Sequence, residues 1–176
     1  MRSIQWIAVA GVLGFAVSGC GESPADLTLE ENVRRAQEHQ AKGENEDAVT
    51  YYTEALRREP RNFMILNNRA AAYTALQKYD EALADLTQAI RFSKEKSAKT
   101  YINRSAIYYN AGLMEDALAD INAAIKLEPE NGEAYWVRGA ILHYQKKVEE
   151  SERDFQKARD LGFKPLNENG NAAANS

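Results

Sequence analysis

The chain has 176 residues, 22 basic and 26 acidic, for a net charge of −4, and 44% of them are hydrophobic. A balance this mildly acidic lacks the basic stripe that nucleic acid requires. A single cysteine excludes any intramolecular disulfide.

The first segment, MRSIQWIAVAGVLGFAVSGC, opens with Arg2 and is apolar from Ile4 to Val17 apart from Gln5. A membrane-spanning helix needs about 20 apolar residues, so this stretch has the length of a signal-peptide core instead. It closes on Val17-Ser18-Gly19-Cys20, which resembles the bacterial lipobox: an apolar residue, two small ones, then cysteine. The resemblance implies that residues 1–19 are removed and that Cys20 is acylated on sulfur and on its new amino group. Two or three acyl chains hold a protein firmly to a bilayer, whereas one is marginal. An ordinary secretory signal with an incidental cysteine and an uncleaved membrane anchor are the alternatives. Gly21 follows the cysteine in place of aspartate, which by the lipoprotein sorting tendency favours the periplasmic face of the outer membrane in an organism that has one. Residues 20–28 then form the lipidated cysteine and a short polar tether containing Pro24.

From Leu29 onward the pattern repeats. Ala48, Ala82, Ala117 and Ser151 lie 34, 35 and 34 residues apart. Each is followed by a large apolar residue (Tyr52, Leu86, Ile121, Phe155) and then by a second alanine (Ala55, Ala89, Ala124, Ala158). Within each copy a first helical pattern stops at a turn, marked by Gly43 in the first copy and Gly112 in the third. A second helical pattern follows, ended by Pro60 in the first copy and Pro129 in the third. The spacing predicts four antiparallel helix pairs, over residues 29–62, 63–96, 98–131 and 132–165. Small side chains in the alanine columns let paired helices approach closely, and no pair buries both its apolar faces without neighbours. The extra residue falls near Ser97, and Lys94 stands where the other junctions have proline. The sequence therefore predicts either a second helix that runs on at that junction or a longer connection. Residues 166–176, rich in Asn, Ala and Gly, read as a disordered tail. No solvating helix follows the fourth copy, so Phe155 and Leu161 are expected to be covered only by Phe163, Pro165 and Leu166, or by another molecule.

The Ala-x3-aromatic/aliphatic-x2-Ala motif, the aromatics Tyr73 and Tyr108, the prolines, and the runs Asn68-Arg69-Ala70 and Asn103-Arg104-Ser105 resemble the tetratricopeptide repeat over residues 29–165. The resemblance implies an all-α fold, a right-handed superhelical solenoid of four helix pairs. His39 and Asn32 in the first copy and Ser151 in the fourth depart from it, as terminal units commonly do. In such a stack the first helix of each pair lines the hollow side. The residues expected in that groove are Asn67, Asn68, Lys99, Ile102, Asn103, Tyr109, Trp136 and His143. Asn68 and Asn103 lead, because a primary amide both donates and accepts and so can grip the backbone of an extended peptide. Bonding to the neighbouring unit is the alternative for the asparagines, and ordinary packing between units for Trp136. The acidic-tail clamp found in some repeats of this family is incomplete here, with Asn68 and Lys99 matching but Val33, Gln37 and Asn103 standing at the other clamp positions.

The sequence offers no catalytic constellation. His39 and His143 lie in different units, no Cys/His cluster has metal spacing, and neither a phosphate loop nor a serine elbow appears. No cofactor or metal is expected. Arg34-Arg35 and Arg57-Arg58 read as solvated helix faces, with a phosphate or lipid-headgroup role as the alternative. The expected function is a membrane-anchored scaffold of the bacterial cell envelope that binds a peptide or helix of an envelope protein. A self-associating structural protein (a homo-oligomer joined through Phe155 to Leu166) and a pilus or secretion assembly factor are the alternatives.

Overall fold

The computed structural model describes residues 22–165. The leader, Cys20 and the tail from 166 to 176 lie outside the described residues, as does Leu166. The described chain forms eight helices: α1 (Leu29–Ala41), α2 (Asn45–Arg58), α3 (Phe63–Ala75), α4 (Tyr79–Phe92), α5 (Ala98–Asn110), α6 (Met114–Leu127), α7 (Gly132–Tyr144) and α8 (Val148–Asp160). They pair as α1 with α2, α3 with α4, α5 with α6 and α7 with α8, and the four pairs stack in chain order as an all-α solenoid. No described helix is long and apolar enough to cross a membrane.

The two helices of a pair start differently. Each first helix has a side-chain cap: Thr28, Asn62, Ser97 and Asn131 accept from backbone N–H groups of the first turn. The second helices have none, and rely on charge. Glu46 and Asp47, Asp80 and Glu81, Glu115 and Asp116, and Glu149 and Glu150 fill their first turns. Arg57 and Arg58, Arg91, Lys126, and Lys157 and Arg159 fill their last ones, each sign matching the helix dipole. The turn inside every pair closes the same way, with the N–H of Glu44, Lys78, Leu113 and Lys147 donating to the carbonyl of His39, Tyr73, Tyr108 and Leu142. The left-handed residue this turn requires is Gly43 or Gly112 in two pairs, but Gln77 (φ 58°) or Lys146 (φ 62°) in the others.

The junction near Ser97 resolves as a longer connection. α4 has the same 14 residues as α2 and α6. The extra residue lies between Phe92 and Ala98, where Lys94 and Glu95 take left-handed angles (φ 54° and 61°).

The alanine columns are the core. Ala48, Ala82, Ala117, Ala55, Ala89, Ala124 and Ala158 are fully buried, with Tyr52, Leu86 and Ile121 between them. Ser151 is equally buried, and its hydroxyl has no hydrogen-bond partner. A second set of contacts holds the pairs in register. The guanidinium groups of Arg69, Arg104 and Arg138 each make two bonds of 2.6–2.8 Å to Asp85, Asp120 and Asp154 of the partner helix. Each then reaches the second helix of the preceding pair, at Thr53, Thr87 and Asn122. The aspartate bonds and charges raise all three arginines above their ordinary pKa. For Arg69 this works against burial, which is the larger single influence and pulls it down. The first pair keeps Arg35 at this position but has Tyr51 where the aspartate would stand.

Both ends differ from a free terminus. Residues 22–28 are not a loose tether. The Asn32 amide is fully buried and donates to the carbonyls of Pro24, Leu27 and Thr28. Arg58 donates to the carbonyl of Ala25 at 2.9 Å, and Leu27 is buried. At the other end Phe163 folds back on Gly132, where even a Cβ would meet it at 2.7 Å, and on Trp136. α8 also carries its own solvation. Its face beyond Phe155 has Glu152, Gln156 and Arg159 where earlier second helices have Val49, Leu83 or Leu118; Thr53, Thr87 or Asn122; and Leu56, Ile90 or Ile125.

Three variants test this account. Ser151→Ala removes an unpartnered buried hydroxyl from an alanine column, and should raise the unfolding free energy by about 1 kcal/mol in urea denaturation. Asp120→Ala strands a buried guanidinium and should lower it by about 3 kcal/mol, whereas Arg104→Met combined with Asp120→Leu should cost less than that single change.

Candidate peptide-binding groove

α5 lies against both α3 and α7, so the first helices form one continuous face. Three contacts span that face. The Asn103 amide nitrogen donates to the Asn67 oxygen at 3.2 Å, joining α5 to α3. The Lys99 ammonium sits 3.0 Å from both oxygens of Glu133, joining α5 to α7. The Tyr109 and Tyr144 rings meet edge to face at 5.9 Å between centroids.

Between α3 and α5 these contacts leave a cleft of about 170 Å³. Ala71 and Ala106 are small enough to leave it open, Ala70, Leu86 and Ile107 form its apolar base, and Thr74, Asn103 and Asn110 supply polar groups. Because the Asn103 nitrogen is taken by Asn67, its oxygen is left to accept. Asn68 is half-buried on the same helix, one residue from Asn67. An apolar base with a few convergent amides suits an extended backbone with small side chains better than an ionised ligand.

The expected groove residues divide. Asn67, Asn103, Lys99, Tyr109 and exposed His143 lie on the first helices with surface to offer. Ile102 does not: it is 2% exposed and packs in the core with Ala98, Ala117, Ile121 and Ala134. α5 has neighbours on both sides, so a side chain at that position is enclosed. Trp136, its counterpart in the last pair, packs at a tilt against the Phe155 ring, 4.7 Å between centroids, and lies 6.0 Å from the Phe163 ring, which makes it largely a packing residue. Asn110, Thr74 and Tyr144 were not anticipated. They lie in the final turns of the first helices, where the column of Asn110 and Tyr144 holds Ala41 and Ala75 in the earlier copies, so the period alone gave no signal for them.

One further cluster is absent from the sequence reading. In the first turn His39 Nδ1 lies 2.7 Å from Glu44 and 3.9 Å from Asp47. This is the one group of three such side chains among the described residues whose ligand atoms come within 4.8 Å of one another. The His39–Glu44 contact is itself a hydrogen bond, and the His39 ring stacks on Tyr51.

A family model for the tetratricopeptide repeat matches residues 33–97 and 106–164, well over half of the chain. The chain belongs to the tetratricopeptide repeat family. The repeats resemble those of a Fusarium oxysporum f. sp. lycopersici protein described as a tetratricopeptide repeat and J domain-containing co-chaperone, with 36% identity over 67 residues, 38% of this chain and 13% of that protein. Among solved structures, the tetratricopeptide domain of Arabidopsis OM64 superposes with a TM-score of 0.64 at 26% identity, over 69% of this chain and 99% of that one. MamA from Desulfovibrio magneticus superposes at 0.68 with 19% identity, over 77% and 76%, which speaks for the fold alone. The tetratricopeptide fold is typically a non-catalytic interaction module, and the groove is its usual working face.

Trp136→Ala should cost about 3 kcal/mol of stability. His143→Ala should stay within about 0.5 kcal/mol. Thermal unfolding of the two variants separates packing residues from surface ones.

Proposed function

We propose that the chain is a lipoprotein adaptor, anchored in a bacterial envelope membrane through acyl groups on Cys20. Its groove across α3, α5 and α7 holds an extended peptide or a helix of another envelope protein. The cleft between α3 and α5 carries this reading. Its base is apolar, and its amides suit a partner backbone whose sequence they need not read. Membership of a family of interaction modules supports a protein partner, and a relative described as a co-chaperone agrees with it. The lipobox-like Val17-Ser18-Gly19-Cys20 supports the anchor, and Gly21 the outer membrane in an organism with two.

Self-association through the last pair is the competing reading. The charged positions Glu152 and Arg159 weigh against it, because the face a further unit would cover is already fit for water.

A photo-crosslinking residue at Tyr109 in the full chain, activated in its own membranes, tests both. We expect capture of a different envelope protein, identified by mass spectrometry. Replacing Asn68 and Asn103 together by alanine should weaken capture about tenfold, the worth of one or two hydrogen bonds. Unchanged capture would mean that the groove is the wrong surface, and a second copy of the chain as the product would favour self-association.

A further inference from the structure

One edge of the stack carries its charge unevenly. Along the edge where second helices hand over to first ones, Arg57, Arg58 and Arg61 mark the first connection, and Arg91, Lys94 and Lys96 the second. Only Glu59 and Glu95 oppose them within these two stretches, and Glu59 already accepts from Asn62. The third connection, Glu128-Pro129-Glu130-Asn131, is acidic. Arg57 and Arg58 are engaged by Glu54. Arg61, Arg91, Lys94 and Lys96 are exposed and make no ion pair among the described residues. The two arginines sit together, each with its guanidinium about 6 Å from the centre of the Phe92 ring, and Lys94 and Lys96 follow within the same connection. The lengthened connection carries both lysines, so the one irregularity in the period adds cations at one place.

The same edge has an apolar component and a fixed point. Pro60, Phe63 and Met64 form a mostly apolar hollow beside Arg61, and Met64 is 61% exposed. The chain enters the fold here too, through the turn at Ser23–Asp26, with Ala25 held by Arg58. Upstream of residue 22 lies the segment with the apolar stretch Ile4–Val17 and Cys20.

We infer that this edge, centred on Arg61, Arg91, Lys94 and Lys96, docks on the anionic headgroups of a phospholipid bilayer. The occupant is a membrane surface because cations and a protruding methionine suit an interface of charged headgroups over hydrocarbon. The docked turn also leaves little free chain between Cys20 and the edge. The acidic third connection lies further along the same edge, beyond the cationic patch, and the groove on the first helices is left free. This deepens the anchoring reading and rests on it for the choice of partner.

The test uses the full chain and the chain from Gly21, which keeps the whole described fold, in sedimentation with vesicles. The chain from Gly21 should bind vesicles containing phosphatidylglycerol at low salt, not vesicles of phosphatidylcholine alone, and binding should fall as salt is raised. Each cation near such a surface is worth roughly fivefold in partitioning. Arg61→Glu, Arg91→Glu, Lys94→Glu and Lys96→Glu together should therefore weaken binding roughly a hundredfold or more, and the matching glutamine set less. Lys78→Glu, Lys146→Glu and Lys147→Glu on the opposite edge should leave it unchanged. Circular dichroism confirms that helix content is kept in each. Equal binding to both vesicles, equal loss from the opposite-edge set, or displacement by millimolar inorganic phosphate would overturn the inference. The anchor is read separately: a full chain that fails to join phosphatidylcholine vesicles after expression in a lipoprotein-processing host removes the anchoring reading and leaves this edge's result standing.

Discussion

The whole stack depends on how closely two helices can approach. Where Ala48, Ala82, Ala117 and Ser151 meet the facing helix there is no space for a larger side chain, and every one of them is fully buried. Close approach brings the arginine of each later first helix within reach of an aspartate 16 residues away in Arg69–Asp85, Arg104–Asp120 and Arg138–Asp154. The same guanidinium extends to the preceding pair, so spacing within one pair also sets the angle to the next. A buried ion pair contributes little net stability, because desolvation offsets attraction. Its geometric demand, two parallel bonds to one carboxylate, selects a single arrangement of three helices.

A repeat array must stop somewhere, and the two ends stop by different means. At the start, Asn32 replaces the large apolar residue of later copies and uses its amide to gather three carbonyls of the preceding turn. At the finish, α8 replaces aliphatic stacking positions with Glu152 and Arg159, while Phe163 closes over Trp136. Neither end exposes the apolar face that an interior junction buries. Neither tip therefore offers a partner an unburied apolar face.

The fold was legible because one steric requirement repeats in three columns, and a period survives even when individual residues vary. Pairing across the turn was not. Nothing in the sequence marks Arg104 and Asp120, 16 residues apart, as a contact. Groove residues were partly legible for a related reason. Asn67, Ile102 and Trp136 occupy the same column, yet one bonds to its neighbour, one is enclosed, and one covers an end. The column fixes direction, while the neighbours present at each level decide exposure.

The docking of residues 22–28 has a mechanical meaning. On an anchored chain, any pull between the membrane and a bound partner enters the protein through this turn. The load falls first on the Asn32 amide, the Arg58–Ala25 bond and the buried Leu27, contacts within a single helix pair. Tension would release these seven residues before it reached the arginine contacts between pairs. On such a chain the segment would act as extra slack, lengthening the connection at modest force while the stacked pairs keep their shape.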